Sequence, residues 1–153
     1  MNLKLSEWAS VAEIIGAIAV VLSLIFVGTE LQRNTLSIRA STFQSVSDSV
    51  TEFTLTLATN PDLSELYFRG LNNPNELTPE DRYRFNFLLT TIGRRLESAY
   101  IQKEAGLLLE SQWEGFSHVC KSVLRSQGAI TWLEQNPTNF SPGFTSFVLN
   151  NCE

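Results

Sequence analysis

Apolar residues form one unbroken run near the start of the chain and thin into a periodic pattern afterwards. From Ile14 to Thr29 no residue is charged, and Ile, Val, Leu, Ala and Phe dominate. Extended back to Trp8, the run covers about 22 residues, roughly 33 Å of helix, which matches the hydrocarbon core of a bilayer. Trp8 then falls at one interface, where an amphipathic ring is favoured, with Lys4 and Glu7 outside it. Glu30, Gln32, Arg33 and Asn34 close the other end. A cleavable signal peptide fits less well: only Lys4 charges the preceding region, and no small-x-small cleavage site precedes a new start. The pattern therefore predicts a transmembrane anchor over residues 1–30 and an α-helical soluble domain over 31–153.

The span carries more than bulk apolarity. Ala9, Ala12, Gly16, Ala19 and Ser23 recur at alternating three- and four-residue intervals and share one helical seam. Because lipid gives helices no hydrophobic reason to associate, close backbone approach along such a seam is the usual route to helix packing. Glu13 borders the seam about 7 Å inside Trp8 by helix rise. A carboxylate at that depth is costly and faces headgroups, protein or water in preference to lipid.

Beyond the span the helical pattern continues to Thr59. Leu36, Phe43, Val50 and Leu57 are spaced by seven, with Val46 and Phe53 between them and Arg39 as the flaw. The seam is expected to pack on its own domain; a parallel coiled coil between protomers is the alternative, disfavoured by Ser, Thr and Gln at the flanking positions. Later helix starts repeat one device, a capping side chain directly before proline, at Asn60-Pro61, Thr78-Pro79 and Ser141-Pro142. These predict helices over 61–71, 79–105, 111–126, 129–135 and 142–149, with Gly106 stopping the second. Phe85, Leu88, Leu89, Ile92, Leu96, Ala99 and Tyr100 form the expected inward face of the 79–105 helix. No β-type alternation persists, so the fold class is all-α: a long N-terminal helix followed by a small bundle.

Composition narrows the function. The 153 residues carry 11 basic and 16 acidic side chains, for a net charge of −5. No basic stripe exists to neutralise phosphates, so nucleic acid is not an expected partner. Cys120 falls on an apolar helical face as an expected core thiol, and Cys152 lies one residue from the end, where fraying is expected. The two could still bridge, but nothing in the sequence demands it. Arg33 and Arg39 after the span, against Lys4 and the α-amine before it, favour a cytoplasmic domain by a small margin, and the lack of a disulfide framework agrees with a reducing compartment.

Trp8, the run from Ala12-Glu13-Ile14-Ile15-Gly16 to Val21, Ser23-Leu24-Ile25-Phe26 and Gln32-Arg33-Asn34-Thr35 resemble a widespread family of uncharacterised bacterial single-span membrane proteins. So do Asn60-Pro61-Asp62-Leu63, Tyr67, Arg69-Gly70, Leu77-Thr78-Pro79-Glu80, Glu97, Tyr100, Gln102, Gly106-Leu107 and Trp113. The resemblance covers nearly the whole chain and implies a single-pass protein of the bacterial inner membrane. It implies no activity, and it draws Glu13 and Gly16 into the family pattern.

No catalytic signature stands out. His118 is the sole histidine, no Ser or Cys has an evident base partner, and no phosphate-cradling glycine loop occurs. No metal or cofactor is expected. The best polar constellation is Arg94 with Glu97 one turn on, next to Tyr100, read as a helix-stitching network or a small-ligand site. The leading expectation is a non-enzymatic interaction or accessory subunit, its span binding the bilayer and either a second copy or another membrane protein. A small homo-oligomeric channel or proton-handling unit using Glu13, and a membrane-tethered small-molecule sensor, are the alternatives.

Overall fold

The computed structural model describes residues 5–150 and Cys152, with side chains described from Trp8 onward except that of residue 151. Lys4 and the terminal amine, which entered the orientation argument, lie outside the described residues. The fold is all-α: a long apolar N-terminal helix followed by a helical bundle.

Helix α1 spans Leu5–Thr59 without a break. The chain divides into two units, Met1–Ala40 and Ser41–Glu153, and α1 contributes to both. In the first unit every side chain from Trp8 to Ile38 is exposed. No polar face alternates with the apolar one between Ile14 and Val27, so this stretch has no surface that prefers water. It is the one helix among the described residues long and apolar enough to cross a membrane.

In the second unit the same helix becomes amphipathic. Val46 and Phe53 are buried, and Val50 and Leu57 pack against the core they belong to. The seven-residue seam is thus spent within the domain from Phe43 onward, where the Phe43 ring meets Phe116 edge-on at 6.4 Å between centroids. Leu36, further back on the seam, stays exposed.

Helices α2 (Pro61–Asn72), α3 (Pro79–Glu104), α4 (Glu110–Val119), α5 (Gln127–Gln135) and α6 (Pro142–Leu149) complete the bundle. Two of the expected caps form: the Asn60 side chain accepts from the Leu63 amide and Thr78 from the Asp81 amide, each satisfying a first-turn N–H. Gly106 ends α3 at φ +71°, a left-handed conformation that glycine adopts without steric cost. A short 3₁₀ turn, Pro74–Glu76, fills the polar loop before α3.

The helix expected over 111–126 is interrupted. After Val119 it passes into a π-helical turn, Cys120–Leu124. Cys120 and Leu124, at its two ends, are both buried. Ser126 then caps α5 by accepting from the Ala129 amide, so this helix starts two residues before the expected 129.

Helix α3 lies at the middle of the unit, in contact with α2, α4, α6 and the π-turn. Phe85, Leu89, Ile92, Leu96 and Ala99 are its buried stripe, while Leu88 and Tyr100 are only half-buried. The Tyr67 ring packs between Phe53 and Phe85, and burial pushes its phenol above the ordinary value.

Helices α2 and α5 approach so closely that Gly128 faces the Gly70 carbonyl with no room for a methyl group. Gly128→Ala should therefore destabilise the domain by about 1–3 kcal/mol. Gly115→Ala, with nothing within 4 Å of the new carbon, should be neutral or stabilising by up to about 1 kcal/mol, since alanine loses less backbone entropy in a helix. Equilibrium denaturation of the two variants checks the pair, and equal effects would contradict the packing.

Candidate functional site

Three places hold the candidate functional residues. The first is α1, where Ala9, Ala12, Glu13, Gly16, Ala19 and Ser23 all lie on exposed helix in the first unit. At 100° per residue they occupy about a third of the helix circumference, with Glu13 at the edge. A carbon added at Gly16 would meet nothing within 4 Å, so the seam is open to an approaching surface.

The second is Arg94 and Glu97. Glu97 is 5% exposed, the one buried charged side chain among the described residues. Its Oε2 accepts from the Arg94 guanidinium at 2.6 Å, and its Oε1 accepts from the Ser141 backbone amide at 2.6 Å. Ser141 is the N-cap of α6, and its own side chain makes no capping bond. The carboxylate of Glu97 thus sits at the helix start from 44 residues away, where the first-turn dipole favours negative charge. Burial opposes ionisation of Glu97, but the Ser141 amide and Arg94 outweigh it and hold the carboxyl below its ordinary range. Arg94 lies over the Phe140 ring, 5.1 Å from the centroid. With both oxygens engaged, the pair fastens α6 and its preceding loop to α3. A second pair, Arg95 with Glu52 at 3.1 Å, links α3 to α1.

Tyr100 belongs to a third place, one turn beyond Glu97. It stacks on Phe147 at 5.1 Å and meets Trp113 at 6.2 Å. The three rings form one wall of a groove of about 520 Å³ between the end of α3, α4 and α6. Glu110, Glu114 and Lys121 stand along it, as do Lys103 and Glu104, which pair with each other at 3.3 Å. The groove is not legible in the sequence because Tyr100, Trp113 and Phe147 lie on three separate helices that only the fold brings together.

The cysteines differ from the expectation. Cys120 and Cys152 are joined in a disulfide with their Cα atoms 6.1 Å apart, and both are buried. Cys152 does not fray: its amide donates to the Phe147 carbonyl at 2.9 Å, closing the end of α6. The sequence separation of 32 hid the pairing, since only the bundle brings the chain end back to the π-turn. Arg69 is half-buried and pairs with Asp81 at 3.3 Å. His118 is exposed, and no cluster of three or more His, Cys, Asp or Glu occurs among the described residues.

No protein-family model matches the chain, and no curated protein or solved structure does.

Glu97→Gln keeps an acceptor for Ser141 but loses the charge that strengthens both bonds, at an expected cost of about 1–2 kcal/mol at neutral pH. Since the folded carboxyl titrates lower than the unfolded one, its contribution is fully present above the ordinary glutamate value of about 4.3 and fades as pH falls through the lower folded value. Denaturation of both forms from neutral to acid pH should show the gap closing in acid. A gap that widens in acid would contradict this assignment.

Proposed function

We propose that this chain is a non-enzymatic, membrane-anchored helical protein acting as an interaction or accessory subunit through packing of its transmembrane helix. The carrying observation is the uncharged stretch of α1 from Ile14 to Thr29, exposed on every side. An apolar surface of that extent stays in solution only when lipid or protein covers it. Retention as an anchor, in place of removal as a signal, is supported by the continuity of α1: the helix that begins at Leu5 also supplies Val46 and Phe53 to the core. The seam of Ala9, Ala12, Gly16, Ala19 and Ser23 is the packing face, with Glu13 beside it. The partner is a second copy or another membrane protein.

The domain is proposed to stand on the oxidising side of a bacterial inner membrane. Structural disulfides persist outside the cytoplasm and are rare within it. The Cys120–Cys152 bond therefore outweighs the small margin of Arg33 and Arg39 over Lys4 and the α-amine.

Gly16→Leu and Glu13→Ala should lower crosslinked assembly in membranes at least about fivefold, the effect of roughly 1 kcal/mol at a helix interface. Ile25→Leu, on the opposite face, should leave it unchanged. Parent-like assembly in both seam variants would refute the packing face. For orientation, a C-terminal alkaline phosphatase fusion should be active, and both cysteines of the native chain should resist alkylation until reduced. An inactive fusion together with freely alkylated thiols would reverse the assignment.

A further inference from the structure

The groove between α3, α4 and α6 is not used by the anchoring role and lies wholly within the second unit. Its volume, about 520 Å³, falls inside the range of small-molecule sites, roughly 300–1,000 Å³. One wall is aromatic: Phe147 stacks on Tyr100 at 5.1 Å and meets Trp113 at 5.5 Å. Trp113 is 5% exposed and Tyr100 is half-buried, so the core behind them holds this wall in place.

The charges along the groove decide what kind of ligand fits. Lys103 and Glu104 neutralise each other, and Lys121 is already engaged in an interaction. Glu110 and Glu114, one turn apart on α4, have no ion-pair or side-chain hydrogen-bond partner among the described residues. These two carboxylates outnumber Lys121, the one lysine of the groove outside the Lys103–Glu104 pair, so an anion would be disfavoured. A cation would be attracted both by them and by the negative ring faces beside them.

We propose that the groove binds a small organic cation, a primary amine or quaternary ammonium on an apolar body. Glu110 and Glu114 meet its charge, and Tyr100, Trp113 and Phe147 line the surface its body rests on.

The test is calorimetric titration of the full chain in detergent with phenethylamine and with benzyltrimethylammonium, against phenylacetate as an anion of matching size. The expected result is binding of at least one cation with Kd of about 1 mM or tighter and no detectable binding of phenylacetate. The Glu110→Gln/Glu114→Gln double variant, altered only at exposed positions and checked for an unchanged melting curve, should weaken the cation about tenfold or more. Glu134→Gln, an exposed acid on α5, should leave it unchanged. No heat with either cation at about 10 mM, phenylacetate binding as tightly, or parent affinity in the double variant would each overturn the proposal. Because the site lies within residues 41–153, its failure leaves the anchoring and assembly reading untouched, and the converse also holds.

Discussion

Leu89, Ile92, Leu96 and Ala99 lose almost all contact with solvent along one side of α3, and α2, α4, α6 and the π-turn are placed against this helix. Three- and four-residue spacing puts these side chains on one stripe, so a single helix supplies the common surface for the domain. Glu97 interrupts that stripe with a charge. A buried carboxylate is tolerated only if its oxygens are occupied, and here the Arg94 guanidinium and the Ser141 amide occupy them. The same bond that makes Glu97 acceptable also places the start of α6, which carries the fully buried Phe144 and Val148 back onto the core. One ionised group on α3 thus holds the start of the last helix against the core.

What could be read from the sequence follows the range of the interaction. Asn60 and Thr78 act within three residues of themselves, and both caps and the helices behind them were legible for that reason. Ser141 offers the same local signal, but its amide is bonded to a carboxylate 44 residues away and its hydroxyl does not cap. No local pattern distinguishes it from the other two. The π-turn at Cys120–Leu124 was likewise hidden, because inward-facing spacing alone does not separate a slightly wider turn from an α-helix. Cys152 looked like a loose end until the bundle returned it to Cys120. Arg94 with Glu97 was visible as a pair one turn apart, and its bond to α6 was not. The aromatic groove was the least legible of all: its wall is shared by three helices, and each ring looks like routine core from its own segment.

Helix α1 presents a different problem, because one hydrogen-bonded backbone passes through two demands on its side chains. Between Ile14 and Thr29 the apolar residues cover the whole circumference, as expected where the surrounding medium is itself apolar. From Ser41 the apolar residues narrow to Val46, Val50, Phe53 and Leu57, as expected where one side meets a core and the other meets water. The intervening segment, around Glu30, Arg33 and Asn34, is polar enough to mark the change without breaking the helix. A transmembrane helix needs no partner to satisfy its backbone. Glu13 and the small residues around it are therefore dispensable for simple anchoring, and the packing proposed above would give them a physical role that lipid alone does not.

The disulfide ties these observations to the chain end. Joining residues 32 apart removes unfolded-state freedom, worth roughly 3–4 kcal/mol in a chain-entropy treatment. It holds the C-terminal segment against the π-turn and so limits how far α6 can leave α3. Phe147 and the end of α6 form part of the groove, while Cys152 lines it as well. The groove's shape is consequently fixed at two points on one short helix: by Glu97 at the α6 start and by Cys120 just beyond its end. A cavity whose walls are fastened in this way has little ordering left to lose when a ligand enters, and that favours binding by reducing the conformational cost of association. The redox state of the two cysteines then bears on the groove directly, since opening the bond would free the end of α6 while leaving its start held by Glu97.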